Sequence, residues 1–287
     1  MRYETPVSIA DAVALLQGSP ARGQILAGGT DLIVQMRSGA ANPQLLLDIK
    51  HIPETRRIEF SDGRFEIGAA VSGAELNENE AFKTTWPGVA EAFDLIGSTQ
   101  IQGRATLGGN LCNASPAADT VPALIAADAV CRIAGPDGER QVPAESIITQ
   151  PGRTSLAAGE FIVSIRFPRQ MNRTGDAYLR LIPRTEMDIA VAGAGVCLTL
   201  DSEGRCATAR VALGAVGPTP LLVNDAGAAL IGSRLEAAAL DSMAEAVAAA
   251  CRPINDKRGT IDYRTRVAAV LARRSALMAL NRAENRT

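Results

Sequence analysis

Two glycine pairs set the tightest constraint on this chain. Gly108 and Gly109 follow the apolar run Ala105-Thr106-Leu107 and precede a stretch of small polar residues, Asn110, Asn113 and Ser115 among them. Without a Cβ in the way, main-chain N–H groups can approach an anion, and successive N–H groups in a turn form a concave positive site. The segment Ala27-Gly28-Gly29-Thr30-Asp31-Leu32 has the same grammar: an apolar run, a glycine pair, a hydroxyl residue, then a helix-like continuation. A strand, a glycine turn and a helix start aim free N–H groups and the helix dipole at a phosphate. Two such loops can grip one diphosphate. Neither pair continues as Gly-Lys-Ser/Thr, which excludes a Walker-type loop and favours a cofactor carrying its own diphosphate over a nucleoside triphosphate.

The rest of the composition narrows the class. The 287 residues are 47% hydrophobic and 21% charged, ordinary for a globular chain with two or three subdomains. Lys and Arg number 29 against 31 Asp and Glu, so no basic excess points to nucleic acid or to an anionic membrane. No apolar run reaches membrane-spanning length and residues 1–6 lack a signal core, which makes a cytoplasmic location and no membrane insertion the expectation. Five cysteines (Cys112, Cys131, Cys197, Cys206, Cys251) are scattered without C-x-x-C spacing, and His51 is the one histidine. That pattern argues against a zinc or cluster site in this chain and for reduced thiols. His51, with no nucleophile motif nearby, reads as structural.

Along the chain, Ser8 predicts a helix cap for residues 9–17, ended by Gly18. Residues 24–27 predict a short strand, and Leu32, Ile33, Val34 and Met36 a helix after the first glycine pair. Residues 45–49 predict a strand, and Asp62-Gly63 a hairpin between two more. Ser72 and Glu75 form a capping box, Trp86-Pro87 opens a helix to Ile96, and residues 99–104 read as a polar link. A helix over 121–129 and strands over 130–134 and 161–165 follow. Composition shifts around 168–175, marking a boundary. Beyond it residues 177–181, 189–200 and 207–215 read as antiparallel strands, followed by alanine-rich helices over 235–251 and 263–280. Gly193-Ala194-Gly195 lacks a third glycine and continues as strand, so it is set aside as a dinucleotide motif. Asp119 reads as a helix N-cap or a ligand contact, and Asp188 carries the same two readings. Arg180 and Arg184 suit phosphate, acidic neighbours or plain solvation.

Four ordered segments carry a family resemblance: Ala27-Gly28-Gly29-Thr30-Asp31-Leu32, Thr106-Leu107-Gly108-Gly109-Asn110, Ser115-Pro116-Ala117-Ala118-Asp119 and Arg184-Thr185-Glu186-Met187-Asp188-Ile189-Ala190. The chain resembles the FAD-binding medium subunit of molybdenum hydroxylases, the xanthine dehydrogenase and carbon monoxide dehydrogenase flavoprotein family. The likeness covers nearly the whole chain, including Arg252-Pro253-Ile254-Asn255-Asp256 and Tyr263-Arg264. It implies an α+β fold: a two-subdomain vanillyl-alcohol-oxidase-type FAD-binding domain over residues 1–172, divided near 55/56, then a C-terminal α+β domain of antiparallel sheet and helices over 173–287.

The resemblance also implies the site. Ile25, Leu26, Ala27, Gly28, Gly29, Thr30, Asp31 and Leu32 would wrap the FAD diphosphate, with Leu32 reaching the flavin. Thr106, Leu107, Gly108, Gly109 and Asn110 would be the second phosphate loop, and Asp119 would hold polar parts of the cofactor. Ile96, Ile162 and Arg180 sit where the family has further flavin contacts, Arg180 in place of a lysine seen in some members. Such a subunit would pass electrons from an iron-sulfur small subunit to NAD or another acceptor, while a molybdenum-binding large subunit oxidises the organic substrate. The molybdenum cofactor and clusters would belong to those partners, in a dimer of heterotrimers. Two other classes fit the residues less fully: a stand-alone FAD oxidoreductase, which needs a base beside the flavin, and a flavin-free assembly module.

Overall fold

The computed structural model describes residues 1–19 and 23–286, which form an α+β arrangement built on three main sheets. The first sheet holds β1 (Arg2–Glu4), β2 (Gly23–Leu26) and β3 (Leu45–Asp48) in the order β1-β3-β2, all parallel. All four residues of β3 are buried, as a central parallel strand covered on both faces requires. Helix α1 (Ile9–Gln17) lies against it, capped by Ser8, whose hydroxyl accepts the Asp11 N–H, and closed at Gly18. Helix α2 (Leu32–Arg37) follows the first glycine pair.

The second sheet is antiparallel in the order β4-β5-β10-β6-β7: β4 (Ile58–Ser61), β5 (Arg64–Gly68), β6 (Val130–Gly135), β7 (Gly138–Pro143) and β10 (Phe161–Arg166). A separate small hairpin joins β8 (Ile148–Gln150) and β9 (Arg153–Thr154). Asp62 and Gly63 both take positive φ, as the two-residue hairpin turn demands. Helices α3 (Gly73–Asn77), α4 (Glu80–Thr85) and α5 (Pro87–Asp94) come next in the chain. Phe65 and Phe82, then Phe82 and Phe167, meet edge to face at 5.3 Å, and Trp86 adjoins Phe167. Such pairs add about 0.5–1.5 kcal/mol beyond the burial of their rings.

Several local expectations are corrected. The polar link over residues 99–104 is in part helical: α6 (Thr99–Gln102) occupies its first four residues. The second glycine pair is not a loop, for both glycines lie in the first turn of α7 (Leu107–Cys112). Thr106 caps that helix by accepting the Gly109 N–H at 2.9 Å, which offsets the poor helix propensity of glycine. Strand β7 went unread because Gly138, Glu139, Arg140 and Gln141 are all exposed, leaving no apolar alternation. Helix α8 (Thr120–Ala126) ends three residues before the expected limit.

The third sheet is antiparallel, β11-β12-β13-β14: β11 (Thr174–Leu181), β12 (Ala192–Leu200), β13 (Cys206–Gly214) and β14 (Leu221–Leu222). Strand β12 starts at Ala192 rather than at Ile189, because the preceding loop turns through Met187 at positive φ. Helices α9 (Asn224–Ala228), α10 (Ala237–Ala250) and α11 (Ile261–Glu284) complete this half. The face of α11 on the sheet is Ala268, Ala272, Ser275, Ala276, Ala279 and Ala283, all buried. Small residues allow close approach: a Cβ on Gly175 would lie 2.1 Å from the Ala279 carbonyl oxygen. No helix among the described residues is long and apolar enough to cross a membrane.

Each half has its own apolar core, Tyr178 and Ala212 of the C-terminal sheet join that of the first half, and polar contacts add to this junction. Helix α5 has no side-chain cap of its own, and Asp176 of β11 supplies an acceptor, its Oδ2 taking the Gly88 N–H at 2.9 Å. Arg282 pairs with Glu91 and donates to the Asp176 carbonyl. Burial pushes the Asp176 carboxyl up to about 7, against the pull of Arg286 and Arg282. A carboxyl raised in the fold stabilises it below the unfolded value, about 4, and loses that contribution as pH climbs toward 7. Asp176→Asn keeps an acceptor for Gly88 and removes the titration. Its melting temperature relative to wild type is therefore expected to rise between about pH 4 and pH 7 and to level off above. Asp176→Leu, which leaves the Gly88 N–H unpaired, is expected to be about 1–3 kcal/mol less stable than Asp176→Asn in urea unfolding at every pH.

Candidate functional site

A cavity of about 480 Å³ lies between the two glycine segments. From the first segment Ile25, Ala27, Gly28, Gly29, Thr30, Asp31 and Leu32 line it; from the second, Thr106, Gly108, Gly109 and Asn110. Ile96, just after α5, and Ile162, on β10, complete the convergence of residues singled out in the sequence. Leu26 and Leu107 do not line it: they are 8% and 1% exposed and pack behind the two segments.

Backbone packing brings the segments together. A Cβ on Gly28 would fall 2.0 Å from the Arg104 carbonyl oxygen and 3.0 Å from the Ala105 Cα, so the first segment rests directly on the chain leading into α7. A Cβ on Gly108 would meet Ala69 at 2.8 Å. Gly29 sits at φ +80, a conformation that other residues adopt only at a cost. A Cβ on Gly109 would meet only the Thr106 hydroxyl, at 2.9 Å. Among the described residues, the N–H groups of Gly28, Gly29, Thr30 and Asp31 make no backbone hydrogen bond outside regular elements. They are donors left for a ligand. No lysine or arginine is among the described lining residues, and Asp31 is the one carboxylate there.

Asp119 and Arg180 lie away from this lining and meet each other. Asp119 occupies the N-cap position of α8 but makes no capping bond. It accepts instead from Arg180 and, at 3.0 Å, from the Tyr178 hydroxyl. Burial pushes its carboxyl up to about 6, against the pull of Arg180 and of the Tyr178 bond. The pair is shielded, with side chains 5% and 9% exposed. Thr120, next along α8, donates to Asn110 Oδ1 at 2.6 Å, which ties the pair to the cavity wall. Arg184 and Asp188 also choose each other, with Arg258 flanking.

Comparison with known proteins agrees with this geometry. Residues 1–170 match the family model of the FAD binding domain in molybdopterin dehydrogenase, and residues 177–279 match that of the CO dehydrogenase flavoprotein C-terminal domain. The chain belongs to the FAD-binding medium-subunit family of molybdenum hydroxylases. It is 35% identical to the carbon monoxide dehydrogenase medium chain of Afipia carboxidovorans, over 99% of this chain and 98% of that one. It is 31% identical to the xanthine dehydrogenase FAD-binding subunit of Escherichia coli O157:H7, over 91% and 90%. A solved Cu,Mo carbon monoxide dehydrogenase chain superposes with a TM-score of 0.94 at 34% identity, covering 98% of both chains. A chain of quinoline 2-oxidoreductase from Pseudomonas putida 86 gives 0.90 at 26%, covering 99% and 98%.

The residues of this medium-subunit flavoprotein fit FAD on the cavity's own terms. Free N–H groups and two close-packed glycine segments suit the diphosphate, and Ile96, Leu156, Phe161 and Ile162 give the apolar wall that flat rings need. Sequence reasoning missed Gln35 and Asn113, whose side chains bond at 3.0 Å between the segment after Gly29 and the segment after Gly109. Helical spacing could have found both: Gln35 is four residues after Asp31 and Asn113 four after Gly109.

The Asp119–Arg180 pair generates a stability prediction. Arg180→Met strands a buried carboxylate and is expected to cost about 3–5 kcal/mol in urea unfolding. Arg180→Met combined with Asp119→Leu, which removes both charges, is expected to recover most of that loss; equal losses in the single and double variants would show that the pair carries none of the effect.

Proposed function

We propose that this chain binds FAD across the cavity and serves as the electron-transfer subunit of a molybdenum hydroxylase. It would receive electrons from an iron-sulfur small subunit, with a molybdenum-binding large subunit oxidising the organic substrate and NAD or another acceptor taking the electrons off. The observation that carries the reading is the contact of Gly28 with the Arg104–Ala105 backbone, which sets both glycine segments on one cavity.

In this reading residues 25–32 wrap the diphosphate with backbone donors, and Leu32 faces the flavin end. Thr106, Gly108, Gly109 and Asn110 close the other side, while Leu26 and Leu107 brace the two segments from behind. Ile96 and Ile162 pack the rings, and Asp119 with Arg180 forms a buried charged post next to Asn110. FAD supplies a ring that accepts electrons and passes them on as a pair; the protein's part is to place that ring and set its surroundings. His51 is exposed and is not among the residues lining the cavity, so no imidazole stands there as a base for direct oxidation of an alcohol. The FAD-binding domain would span residues 1–172 and the C-terminal domain 173–287.

The test is an absorption spectrum of the chain purified from its native host, with co-purifying polypeptides identified by mass. A flavin spectrum with iron-sulfur absorbance and two further polypeptides is the expected result. Turnover by the lone flavin-bearing chain would move it to a stand-alone oxidoreductase, and a folded chain without flavin to an assembly module. Gly29→Leu and Gly109→Leu are each expected to abolish flavin retention, and full occupancy in both would sink the two-segment cradle.

A further inference from the structure

A chain of hydrogen bonds crosses the carboxyl end of the parallel sheet, where ligands of such sheets gather. The Tyr3 hydroxyl on β1 donates to Asp48 Oδ2 at 2.7 Å. Asp48 ends β3, is 4% exposed, and its Oδ1 accepts the Lys50 backbone N–H at 3.0 Å while standing 2.7 Å from the Lys50 ammonium. That ammonium donates in turn to the Ala27 carbonyl oxygen at 2.9 Å. Ala27 directly follows β2, whose Leu26 pairs with Asp48 in register, so the relay runs from β1 over the end of β3 to the start of the glycine turn after β2. Bonds from Lys50 and Tyr3 hold the Asp48 carboxyl below its ordinary range in spite of burial.

We infer that Lys50 is a positioning residue for the cofactor: by holding the Ala27 carbonyl it turns the Gly28 N–H, and the donors after it, toward the diphosphate. This rests on the FAD reading above. The argument is planar geometry. In a trans peptide the carbonyl of one residue and the N–H of the next point in opposite directions. With the Ala27 oxygen fixed on Lys50, the Gly28 N–H points away from Lys50, and it makes no backbone hydrogen bond outside regular elements. Gly28 lines the cavity, whereas Lys50 does not. The cation therefore acts through a peptide group rather than by touching the ligand. Paired with the Asp48 carboxylate, the ammonium adds no net charge, so its effect on the site is the direction it gives the peptide.

The structure makes Lys50 replaceable by a donor of like charge and Asp48 its anchor. Lys50→Met leaves the Ala27 carbonyl unheld, whereas Lys50→Arg still offers it an N–H. Tyr3→Phe removes one bond that keeps Asp48 in place, from a side chain 53% exposed whose loss the core does not feel. The test titrates FAD, and separately ADP as a competitor, into the deflavinated full-length chain, following flavin fluorescence, and records melting curves of each FAD-free variant.

Lys50→Met is expected to raise the Kd for FAD and for ADP by the same factor, about 10- to 100-fold, the size of a lost charge-assisted hydrogen bond. Lys50→Arg is expected to recover most of it, and Tyr3→Phe to weaken both ligands about 2- to 5-fold, on the scale of one neutral hydrogen bond felt at second hand. FAD-free Lys50→Met is expected to melt lower because it strands the buried Asp48 carboxylate, while Lys50→Arg and Tyr3→Phe are expected to melt close to wild type. Binding within twofold of wild type in Lys50→Met, no rescue by arginine, or unequal factors for FAD and ADP would overturn the positioning role. If Lys50→Met does not fold, unchanged affinity in Tyr3→Phe overturns it. A wild-type chain that binds no FAD sinks the underlying reading instead.

Discussion

One steric fact organises this molecule: Gly28 lies against the carbonyl of Arg104 so closely that no side chain fits between them. The two glycine segments that line the cavity are set against each other by that contact. The first segment enters from a parallel sheet and the second from a helix of another subdomain, and their N–H groups share a cavity because their backbones touch. The same economy recurs at Gly108, which seats α7 on Ala69 beside β5. These glycines serve the protein's own packing, and the space left for a ligand follows from it. Gly29 and Gly109 do the other work, one by turning the chain through positive φ and the other by keeping the cavity face of α7 bare.

Where the chain speaks through neighbours in sequence, the fold could be read directly. Ser8, the Asp62-Gly63 turn and the Ser72–Glu75 capping box each act within three residues, and each stands as expected. The glycine pairs located the cavity, and Gly28 and Gly108 are also demanded by backbone packing that no local pattern announces. Other features had no local signal. Strand β7 is an edge strand of exposed residues, and edges are kept charged to discourage pairing with other chains. Arg180 is 61 residues from Asp119, and Lys50 is 23 from Ala27. Neither partner could be chosen from a list of compatible groups without the topology that brings them together.

The junction of the two halves explains a motif that looked like something else. Gly193-Ala194-Gly195 lies near the start of β12. A Cβ on Gly195 would strike Pro122 of α8 at 2.7 Å, one on Gly214 of β13 would meet the same proline at 2.8 Å, and one on Gly193 would collide with the Tyr178 hydroxyl. Gly195 and Gly214 are therefore a seat for α8, a helix buried along its whole length between the two halves, and Gly193 makes room for Tyr178. With α8 fixed, Asp119 at its head reaches Arg180 and Tyr178 of the C-terminal sheet, and Thr120 reaches Asn110 of the cavity wall. The C-terminal half touches the cavity through this line of bonds, so the second domain shapes a site that the first one lines.

The electrostatics of the cavity follow from how its donors are made. An arginine or lysine facing a diphosphate supplies strong attraction but must give up side-chain freedom, about 1.5–2 kcal/mol for such long chains. Backbone N–H groups held by packed glycines have already lost their freedom when the chain folds, and they keep their direction without a ligand. Their weakness is that they are dipoles, so their orientation decides everything. That makes the peptide between Ala27 and Gly28 a sensitive point. It is also the peptide that a buried carboxylate, a lysine and a tyrosine from three neighbouring places on the sheet combine to hold. A lysine one layer behind the donors, its charge balanced by Asp48, can stiffen them while leaving the face toward the ligand free of long side chains.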